Sequence, residues 1–313
     1  MVRYSIIIPN FNGIRYLSPC LDSILFQSFT DFEIIIVDNA SIDDSVKLIS
    51  EEYPNVNLIL NLVNRRFAGG CNDGVSVASG EYLLFLNTDT VLPSSFLMFL
   101  DEAVQKYPGY GMYAPKMMYP DGRINSTGIC LSLSGAAWDR GMGEQDSGQY
   151  DRSEEVFGPC GGAALYLRSV FLAIGGFDDD FFLFMEDVDL AFRAHLAGWR
   201  CRYVPEVVVY HHHGGSAGVG SDITVYYGNR NILWYPVKDF PWWLLVLALP
   251  WIIGRTIGVI GYYARKGKGR VVIKAKWDGF KGIPGIIRKR RGNNLKSEFI
   301  TFIRFLKIWA DFS

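Results

Sequence analysis

Cysteine is scarce and scattered in this 313-residue chain. The five cysteines occur singly, with no C-x-x-C pair. This pattern excludes a disulfide-stapled miniprotein and favours reduced, partly buried thiols. The motifs G-x-x-x-x-G-K-[ST] and H-E-x-x-H are also missing, and the sequence therefore offers no P-loop or zinc-protease signature. The N-terminus lacks the apolar core and cleavage site of a signal peptide, and we expect the chain to begin folded, in the cytoplasm.

Charge is divided unevenly along the chain. The formal net charge is −1, and 49% of the residues are hydrophobic, which is ample for a packed core and excludes a disordered chain. Up to Tyr235 there are 15 basic and 28 acidic residues, whereas from Pro236 onward there are 16 basic and 4 acidic residues. The division predicts a main domain over residues 1–235 and a basic tail over residues 236–313.

The first hundred residues alternate between two kinds of segment. Short apolar runs at 4–9, 32–38, 56–60 and 81–87 are typical of strands buried on both faces of a parallel sheet. Between them, Leu17, Leu21 and Ile24 form an apolar stripe at helical spacing. This order predicts an α/β fold with a Rossmann-like, mostly parallel twisted sheet flanked by helices.

Polar residues follow three of these runs, namely Pro9-Asn10, Asp38-Asn39 and Asn87-Thr88-Asp89. Ligands of doubly wound sheets bind at the carboxyl ends of the strands, so these residues predict a site, although Asp38 taken alone is equally well explained as a helix cap. Asp89, together with a histidine at another strand end, would suffice for a divalent cation that bridges two phosphates. His211 is the natural partner, and His212 and His213 are alternatives.

Two further regions carry functional signals. Residues 119–157 are rich in Gly, Ser and Asp, with weak periodicity, and an excursion of this length is usually functional or mobile. Glu186 and Asp187 follow a Gly-rich, aromatic stretch. Acids at a helix start often serve only the helix dipole, but this setting also favours a general base. The glycines of residues 64–74 would allow close approach to a phosphate or a ribose.

The tail contains an apolar stretch, residues 242–264, which is long enough to span a bilayer. Pro250, Gly254 and Arg255 interrupt it, and a single crossing would carry the basic residues that follow out of the cytoplasm. We therefore favour an in-plane or re-entrant helical segment on an anionic membrane surface, at the cytoplasmic face of the inner membrane. The alternative is an apolar packing element of a soluble protein.

Seven motifs occur in an order that resembles the family 2 inverting glycosyltransferases, in particular their bacterial rhamnosyltransferase-like branch. They are SIIIPNFNG, VDNASIDDS, NRRFAGGCNDG, LNTDT, GGAALYLR, GGFDDDFFLFMEDVDLAFRAHLAGW and VVYHHHGGS. The resemblance covers residues 3–235 and implies a GT-A fold with Mg²⁺ or Mn²⁺ as cofactor. It also implies transfer of a sugar from a UDP- or dTDP-sugar donor, dTDP-rhamnose among them. The acceptor would be a hydroxyl of a lipid-linked saccharide in cell-surface polysaccharide synthesis.

The resemblance also implies roles for individual residues. Asp187 would be the catalytic base, Asp89 and His211 would bind the metal, and Asp38 would contact the pyrimidine base. His211 begins an H-x-x-G-x-S arrangement with Gly214 and Ser216. The remaining donor-binding residues would be Pro9, Asn10, Asn64, Asn72, Asn87, Thr88, Asp89 and Arg230, and the acceptor-side residues would be Gly161, Gly162 and Glu186, with residues 119–157 as the acceptor-side insertion.

Two positions depart from the family pattern. Asn87 replaces the first acid of the D-x-D motif, and Arg66 stands where the branch usually has glycine. Three other readings stay open: a polyprenyl-phosphate glycosyltransferase, a pseudoenzyme that binds a nucleotide-sugar, and a sugar-phosphate nucleotidyltransferase, which would need a basic Gly-rich loop after the first strand. A nucleic-acid partner is not expected, because the basic residues belong to no known reading module.

Overall fold

The computed structural model describes residues 2–212 and 220–290. A short 3₁₀ helix at Asp179–Phe181 precedes α6. The helices and strands are β1 (Tyr4–Asn10), α1 (Ile14–Leu25), β2 (Phe32–Asp38), α2 (Ser45–Glu52), β3 (Asn57–Leu60), α3 (Arg66–Val77), β4 (Tyr82–Leu86), β5 (Thr90–Val91), α4 (Phe96–Lys106), β6 (Met112–Met118), β7 (Ile124–Ser126), β8 (Ile129–Leu131), β9 (Ala137–Asp139), β10 (Glu154–Val156), β11 (Ala163–Leu167), α5 (Arg168–Ala173), α6 (Glu186–Leu196), β12 (Cys201–His211), α7 (Asp222–Asp239), α8 (Trp242–Arg265) and α9 (Gly269–Lys289).

The main sheet has the strand order β10-β12-β6-β11-β4-β1-β2-β3, with β5 on β12 and β7 on β6. Strands β1, β2, β3 and β4 are parallel to one another, as are β6 and β12, whereas β11 runs antiparallel between β4 and β6. The α/β class and the mostly parallel sheet predicted from the sequence are confirmed. Asn10 pairs with Asp38 in the register of β1 and β2, so these two strand ends meet at one edge.

Helices cover both faces of the sheet, which explains the continuous apolar runs. Ile6 and Ile8 of β1 face a core shared with α1 and α4, whereas Ile7 faces a second core shared with α3 and α6. Successive strand residues point to opposite faces, so a strand covered on both sides needs an apolar residue at every position. All three isoleucines are fully buried.

Strand β12 is long and irregular. It pairs with β6 on both sides of a register shift between Val204 and Val208. Pro205 lies within the shift. Proline has no N–H for the ladder and is tolerated in a strand at such an irregularity.

Residues 119–157 are folded against the sheet. The segment contains β7, β10 and the separate β8–β9 hairpin. Arg140 follows the hairpin and is 4% exposed. It donates to Thr127 Oγ1 at 2.8 Å and to Glu154 at 2.5 Å. Arg140 thereby links the end of the hairpin to the turn before β8 and to β10.

The C-terminal helices are continuous with the main domain. The predicted boundary between Tyr235 and Pro236 lies inside α7, where both residues are buried. Helix α9 packs along α7, and Trp234 donates its indole N–H to Gly279 O at 2.8 Å. A Cβ on Gly282 would lie 2.5 Å from the Trp234 ring, so glycine permits this close approach.

Helix α8 is the one helix within the described ranges that is long and apolar enough to cross a membrane, judged by length and composition alone. Its best window has a mean hydropathy of 1.9 and is 17% buried. The buried positions are Leu244, Leu245 and Ala248 near its N-terminus. The rest of the helix presents apolar side chains outward.

A buried cluster of charges connects α7 to α6 and to the segment before it. Lys238 Nζ lies 2.6 Å from Asp178 and 2.5 Å from Asp189, and Asp189 also pairs with Arg193. Burial opposes ionisation of Asp178, but Lys238 and Lys289 outweigh it and lower the pKa of Asp178 to about 2. The lysine therefore neutralises two acids that have little contact with water.

Replacing Lys238 by Met should lower the free energy of unfolding by about 3 kcal/mol, because buried carboxylates lose their counter-charge. Denaturant unfolding followed by circular dichroism measures this change. Lys289→Met is the matched control. Lys289 also pairs with Asp178 but is 41% exposed, so its removal should cost less than about 1 kcal/mol. Equal effects of the two substitutions would contradict the assignment.

Candidate active site

A cavity of about 440 Å³ opens at the carboxyl edge of the sheet. Its wall combines the ends of β1 and β4, the start of α3, the β8–β9 hairpin and the segment before α6. The residues predicted from the sequence that line it are Pro9, Asn10, Asn64, Asn87, Thr88, Asp89, Gly161, Gly162, Glu186, Asp187 and His211. The structure thus brings together residues more than 200 positions apart in the chain.

The ends of β1 and β2 are joined through side chains. Asn10 Nδ2 donates to Asp38 Oδ1 at 2.8 Å, and Asp38 Oδ2 accepts from Ser41 N at 2.9 Å. Asp38 is 2% exposed. The cavity is lined instead by Asn10 and by Asn39, whose Nδ2 donates to Arg66 O at 2.9 Å. Asp38 therefore does not line the cavity itself, and it holds the side chain of Asn10, which does.

Asp89 and His211 form the candidate metal centre. His211 Nε2 lies 3.1 Å from Asp89 Oδ1 and 3.4 Å from Asn87 Nδ2. On the other side of the ring, His211 Nδ1 lies 2.8 Å from Asn125 Oδ1, a contact that fixes the orientation of the imidazole. Both prospective ligands are buried, at 7% and 4% exposure.

This donor set fits a hard divalent cation that is also bound by a diphosphate. One carboxylate and one imidazole, the latter oriented by the Asn125 amide, are suitable ligands for Mg²⁺ or Mn²⁺ when substrate oxygens supply the rest. No group of three His, Cys, Asp or Glu is placed to hold a metal within residues 2–212 and 220–290.

Two glycines connect this centre to Asp187. Gly161 N donates to Asp187 Oδ2 at 2.9 Å. A Cβ on Gly162 would lie 3.2 Å from His211 Cε1 and 3.5 Å from Asn87 Nδ2. Since adjacent Cα atoms are about 3.8 Å apart, Asp187 and the candidate metal ligand His211 lie beside consecutive residues of one dipeptide. A side chain at Gly162 would crowd Met117 and His211.

Glu186 and Asp187 begin α6 as adjacent acids, of which Glu186 is buried and Asp187 partly buried. Burial raises the pKa of Asp187, while hydrogen bonds from Gly161 and Val188 N–H groups partly offset the effect. Burial, with the nearby Asp187 charge, raises the pKa of Glu186 to about 8, which favours its protonated form at neutral pH. The raised pKa of Asp187 makes its carboxylate a stronger proton acceptor than an exposed aspartate, which suits the role of a general base.

The segment that carries the two acids has an unusual backbone. Phe182, Phe184 and Met185 all have positive φ angles, of 63°, 67° and 70°. Such angles are costly for non-glycine residues and persist only where surrounding contacts impose them. The contacts come from Asn231 of α7, whose Nδ2 lies 2.5–2.8 Å from the carbonyl oxygens of Phe181, Leu183 and Phe184.

Arg230 supports this arrangement and does not line the cavity. Its Nε donates to Asn231 Oδ1 at 2.8 Å, and its Nη2 donates to Asp180 O at 2.7 Å. Asn72 is likewise directed away from the cavity, since its Nδ2 donates to Phe177 O at 2.9 Å and to Asp179 Oδ1 at 2.8 Å. Both residues, expected near the donor, hold the segment before Glu186. Gly214 and Ser216, like the alternative ligand His213, lie outside the described residues.

Two cavity residues, Trp138 and Asp139 of the β8–β9 hairpin, were missed from the sequence. Arg66, noted above as a departure from the family pattern, lines the cavity beside Asn64. Arg66 has a φ of 58°, and its guanidinium lies 4.6 Å from the Phe182 ring centre. The low periodicity of residues 119–157 concealed the hairpin. The sequence signal for a site here was the Trp138-Asp139 dipeptide followed by Arg140.

The fold and these strand-end residues agree with a comparison against protein families. The model of Glycosyl transferase family 2 matches residues 5–175, more than half of the chain. The chain belongs to glycosyl transferase family 2. The resemblance stated from the sequence is thereby confirmed, and the protein is an enzyme of the transferase class.

A curated relative is the N-acetylglucosaminyl-diphospho-decaprenol L-rhamnosyltransferase of Mycobacterium tuberculosis. It is 27% identical over 226 residues, covering 65% of this chain and 74% of the relative. A relative from Sinorhizobium fredii is 27% identical over 228 residues, and there the match spans 68% of this chain but only 25% of the relative.

Two solved structures share the fold. TarS residues 1–349 from S. aureus, in complex with UDP-GlcNAc, superpose with a TM-score of 0.62 at 18% identity, covering 91% of this chain and 82% of that chain. The mannosyltransferase PcManGT from Pyrobaculum calidifontis, in complex with GDP-Man and Mn²⁺, gives a TM-score of 0.55 at 18% identity, covering 97% and 87% of the two chains.

Replacing Asn231 by Ala should loosen the segment before α6. Three carbonyl groups lose their donor, and at about 1 kcal/mol per hydrogen bond local opening should become at least about tenfold more frequent. Hydrogen–deuterium exchange of a peptide covering residues 178–187 measures this directly. Asn229→Ala is the matched control, because Asn229 is also buried on α7 but its side chain donates to Val225 O of the same helix. Unchanged exchange in Asn231→Ala would refute the role of this amide.

Proposed function

We propose that this enzyme transfers a sugar, with inversion, from a nucleoside-diphosphate donor to a hydroxyl of a lipid-linked saccharide. The observation that carries the proposal is the Gly161-Gly162 dipeptide, where Asp187 bonds to Gly161 and both Asn87 and His211 lie beside Gly162. A single in-line displacement needs a base for the acceptor hydroxyl and a group that stabilises the leaving diphosphate, both close to the reacting carbon. Asp187 is the candidate for the first role, and a metal ion at His211 is the candidate for the second.

The donor would occupy the part of the cavity formed by Pro9, Asn10, Asn64, Asn87 and Thr88. Mg²⁺ or Mn²⁺, held by Asp89 and His211, would supply electrostatic stabilisation of the departing diphosphate. Arg66 would add positive charge to the same wall, which lies at the start of α3 and favours anions. UDP and dTDP donors, dTDP-rhamnose among them, are the first to test, since the M. tuberculosis relative is named as a rhamnosyltransferase.

Asp187 would accept the proton of the acceptor hydroxyl as its oxygen attacks the anomeric carbon. The new carbon–oxygen bond forms while the bond to the diphosphate breaks, and the electron pair leaves with the diphosphate. The raised pKa of Asp187 makes its carboxylate a stronger base than an exposed aspartate. Because no covalent sugar–enzyme intermediate is required, one carboxylate suffices.

The acceptor would be presented from a membrane. Helix α8 exposes Val246, Trp251, Ile253 and Ile257, and α9 exposes Trp277 and Phe280. Lysines and arginines flank these apolar surfaces at the α8–α9 turn. An apolar surface bordered by basic residues fits an anionic leaflet, with both helices lying in the membrane plane at its cytoplasmic face. The named substrate of the M. tuberculosis relative, a decaprenyl-diphosphate sugar, supports a lipid carrier.

Donor binding and chemistry can be separated with two variants. In calorimetric titrations with UDP-, dTDP- and GDP-sugars, the wild-type enzyme should bind one pyrimidine donor, and a chelator should weaken that binding. Asp89→Ala should lose the metal-dependent part. Asp187→Asn should bind the donor normally but transfer the sugar at least about 100-fold more slowly. A folded wild-type protein that binds no donor would refute the proposal, as would unimpaired transfer by Asp187→Asn.

Membrane attachment is tested by substitution, because α9 is packed against α7. The double variant Ile253→Asn/Ile257→Asn should sediment at least about tenfold less with vesicles containing phosphatidylglycerol, since two exposed apolar side chains that would enter the bilayer are lost. Wild-type protein should bind neutral phosphatidylcholine vesicles more weakly than anionic ones. Leu62→Asn, which removes a 96% exposed apolar residue elsewhere, is the matched control. Equal sedimentation of all three proteins would contradict membrane docking by α8.

A further inference from the structure

One wall of the cavity has no role in the proposed binding of the donor and the metal or in the proposed base. The β8–β9 hairpin contributes Ile129, Ala137, Trp138 and Asp139 to it. Trp138 is 50% exposed although it is a large aromatic residue in a folded hairpin. An indole left open at a cavity mouth can pack against the apolar face of a ligand while the surrounding polar groups bind its edges.

Asp139 places a carboxylate in this wall. Its Oδ1 is buried without a hydrogen-bond partner among the described residues. Burial, with a contribution from the Asp187 charge, raises the pKa of Asp139 to about 6. A buried polar atom without a partner is costly, and native proteins keep very few. A ligand that donates a hydrogen bond would remove the cost.

Glu186 faces the same cavity from the start of α6. The residue is 7% exposed, and its Oε2 also has no hydrogen-bond partner within the described part of the chain. The two unpartnered oxygens therefore come from separate elements, one on the hairpin and one on α6, with Asp187 as an acidic neighbour of both. This wall therefore offers carboxyl groups as hydrogen-bond partners, and the hairpin residues that line it include no basic side chain.

Resting on the function proposed above, we infer that Trp138, Asp139 and Glu186 form the subsite for the acceptor's reacting sugar, which is a neutral pyranose. Its hydroxyl groups donate to the two carboxyl groups, and its C–H face packs on the indole. A phosphate at the same place would lie beside the carboxyl groups of Asp139 and Asp187 and would meet no basic side chain on the hairpin. The acceptor nucleophile is therefore a sugar hydroxyl, and the lipid phosphate of a polyprenyl-phosphate glycosyltransferase does not fit.

The test is equilibrium binding of acceptor probes to protein saturated with UDP and Mn²⁺. The probes are octyl glycosides of neutral hexoses and N-acetylhexosamines, with undecaprenyl phosphate as the anionic lipid. At least one glycoside should bind. Asp139→Asn should weaken its binding at least about tenfold, because a charge-assisted hydrogen bond is lost. Trp138→Ala should weaken it similarly, and neither change should alter donor affinity.

Asp121→Asn is the matched control. It removes an acid from the same 119–157 segment, but Asp121 is exposed and bonds to Arg123, so glycoside binding should be unchanged. Three results would overturn the inference: donor binding with no glycoside binding, wild-type glycoside affinity in Asp139→Asn, or undecaprenyl phosphate competing for the site. Failure of the wild-type protein to bind any donor would instead overturn the proposed function.

Discussion

The side-chain amide of Asn231 is the contact on which the catalytic arrangement depends. It reaches three carbonyl groups of a segment whose residues Phe182, Phe184 and Met185 adopt positive φ angles. That backbone turns Glu186 and Asp187 into the cavity at the first turn of α6. Arg230 orients this amide by donating a hydrogen bond to Asn231 Oδ1. Lys238 holds the same segment through its ion pair with Asp178. One face of α7 thus holds the segment that positions Asp187, the proposed base.

Charge is separated within the cavity in a way that suits the two proposed substrates. The wall near the start of α3 carries Arg66, whereas the hairpin and the start of α6 carry three carboxyl groups. An anionic donor and a neutral acceptor would each find the complementary wall. The candidate metal ligands Asp89 and His211 lie between them, beside the glycine pair.

The strand-end residues were predictable because a parallel sheet brings its carboxyl ends to one edge, whatever the loops do. The apolar runs indicated the strands, and their polar termini Asn10 and Asp89 indicated the site. Asn72 and Arg230 were placed at the donor through family resemblance, but their side chains turn to local backbone carbonyls, a choice that depends on tertiary packing. Asp139 was missed because short strands in a Gly- and Ser-rich segment leave no periodic pattern.

The position of Asn231 in the chain has a consequence for biosynthesis. Chains emerge from the ribosome N-terminus first, so the sheet, the candidate metal ligands and Asp187 are all made before Asn231, which holds the segment in front of Asp187. Helix α7 in turn gains α9 as its packing partner only after residues 269–289 have been made. The proposed catalytic arrangement would then form only when the helices proposed to bind the membrane are also present. A nascent chain without α7 to α9 would have the residues of the cavity but would lack the contacts that position Asp187, the proposed base.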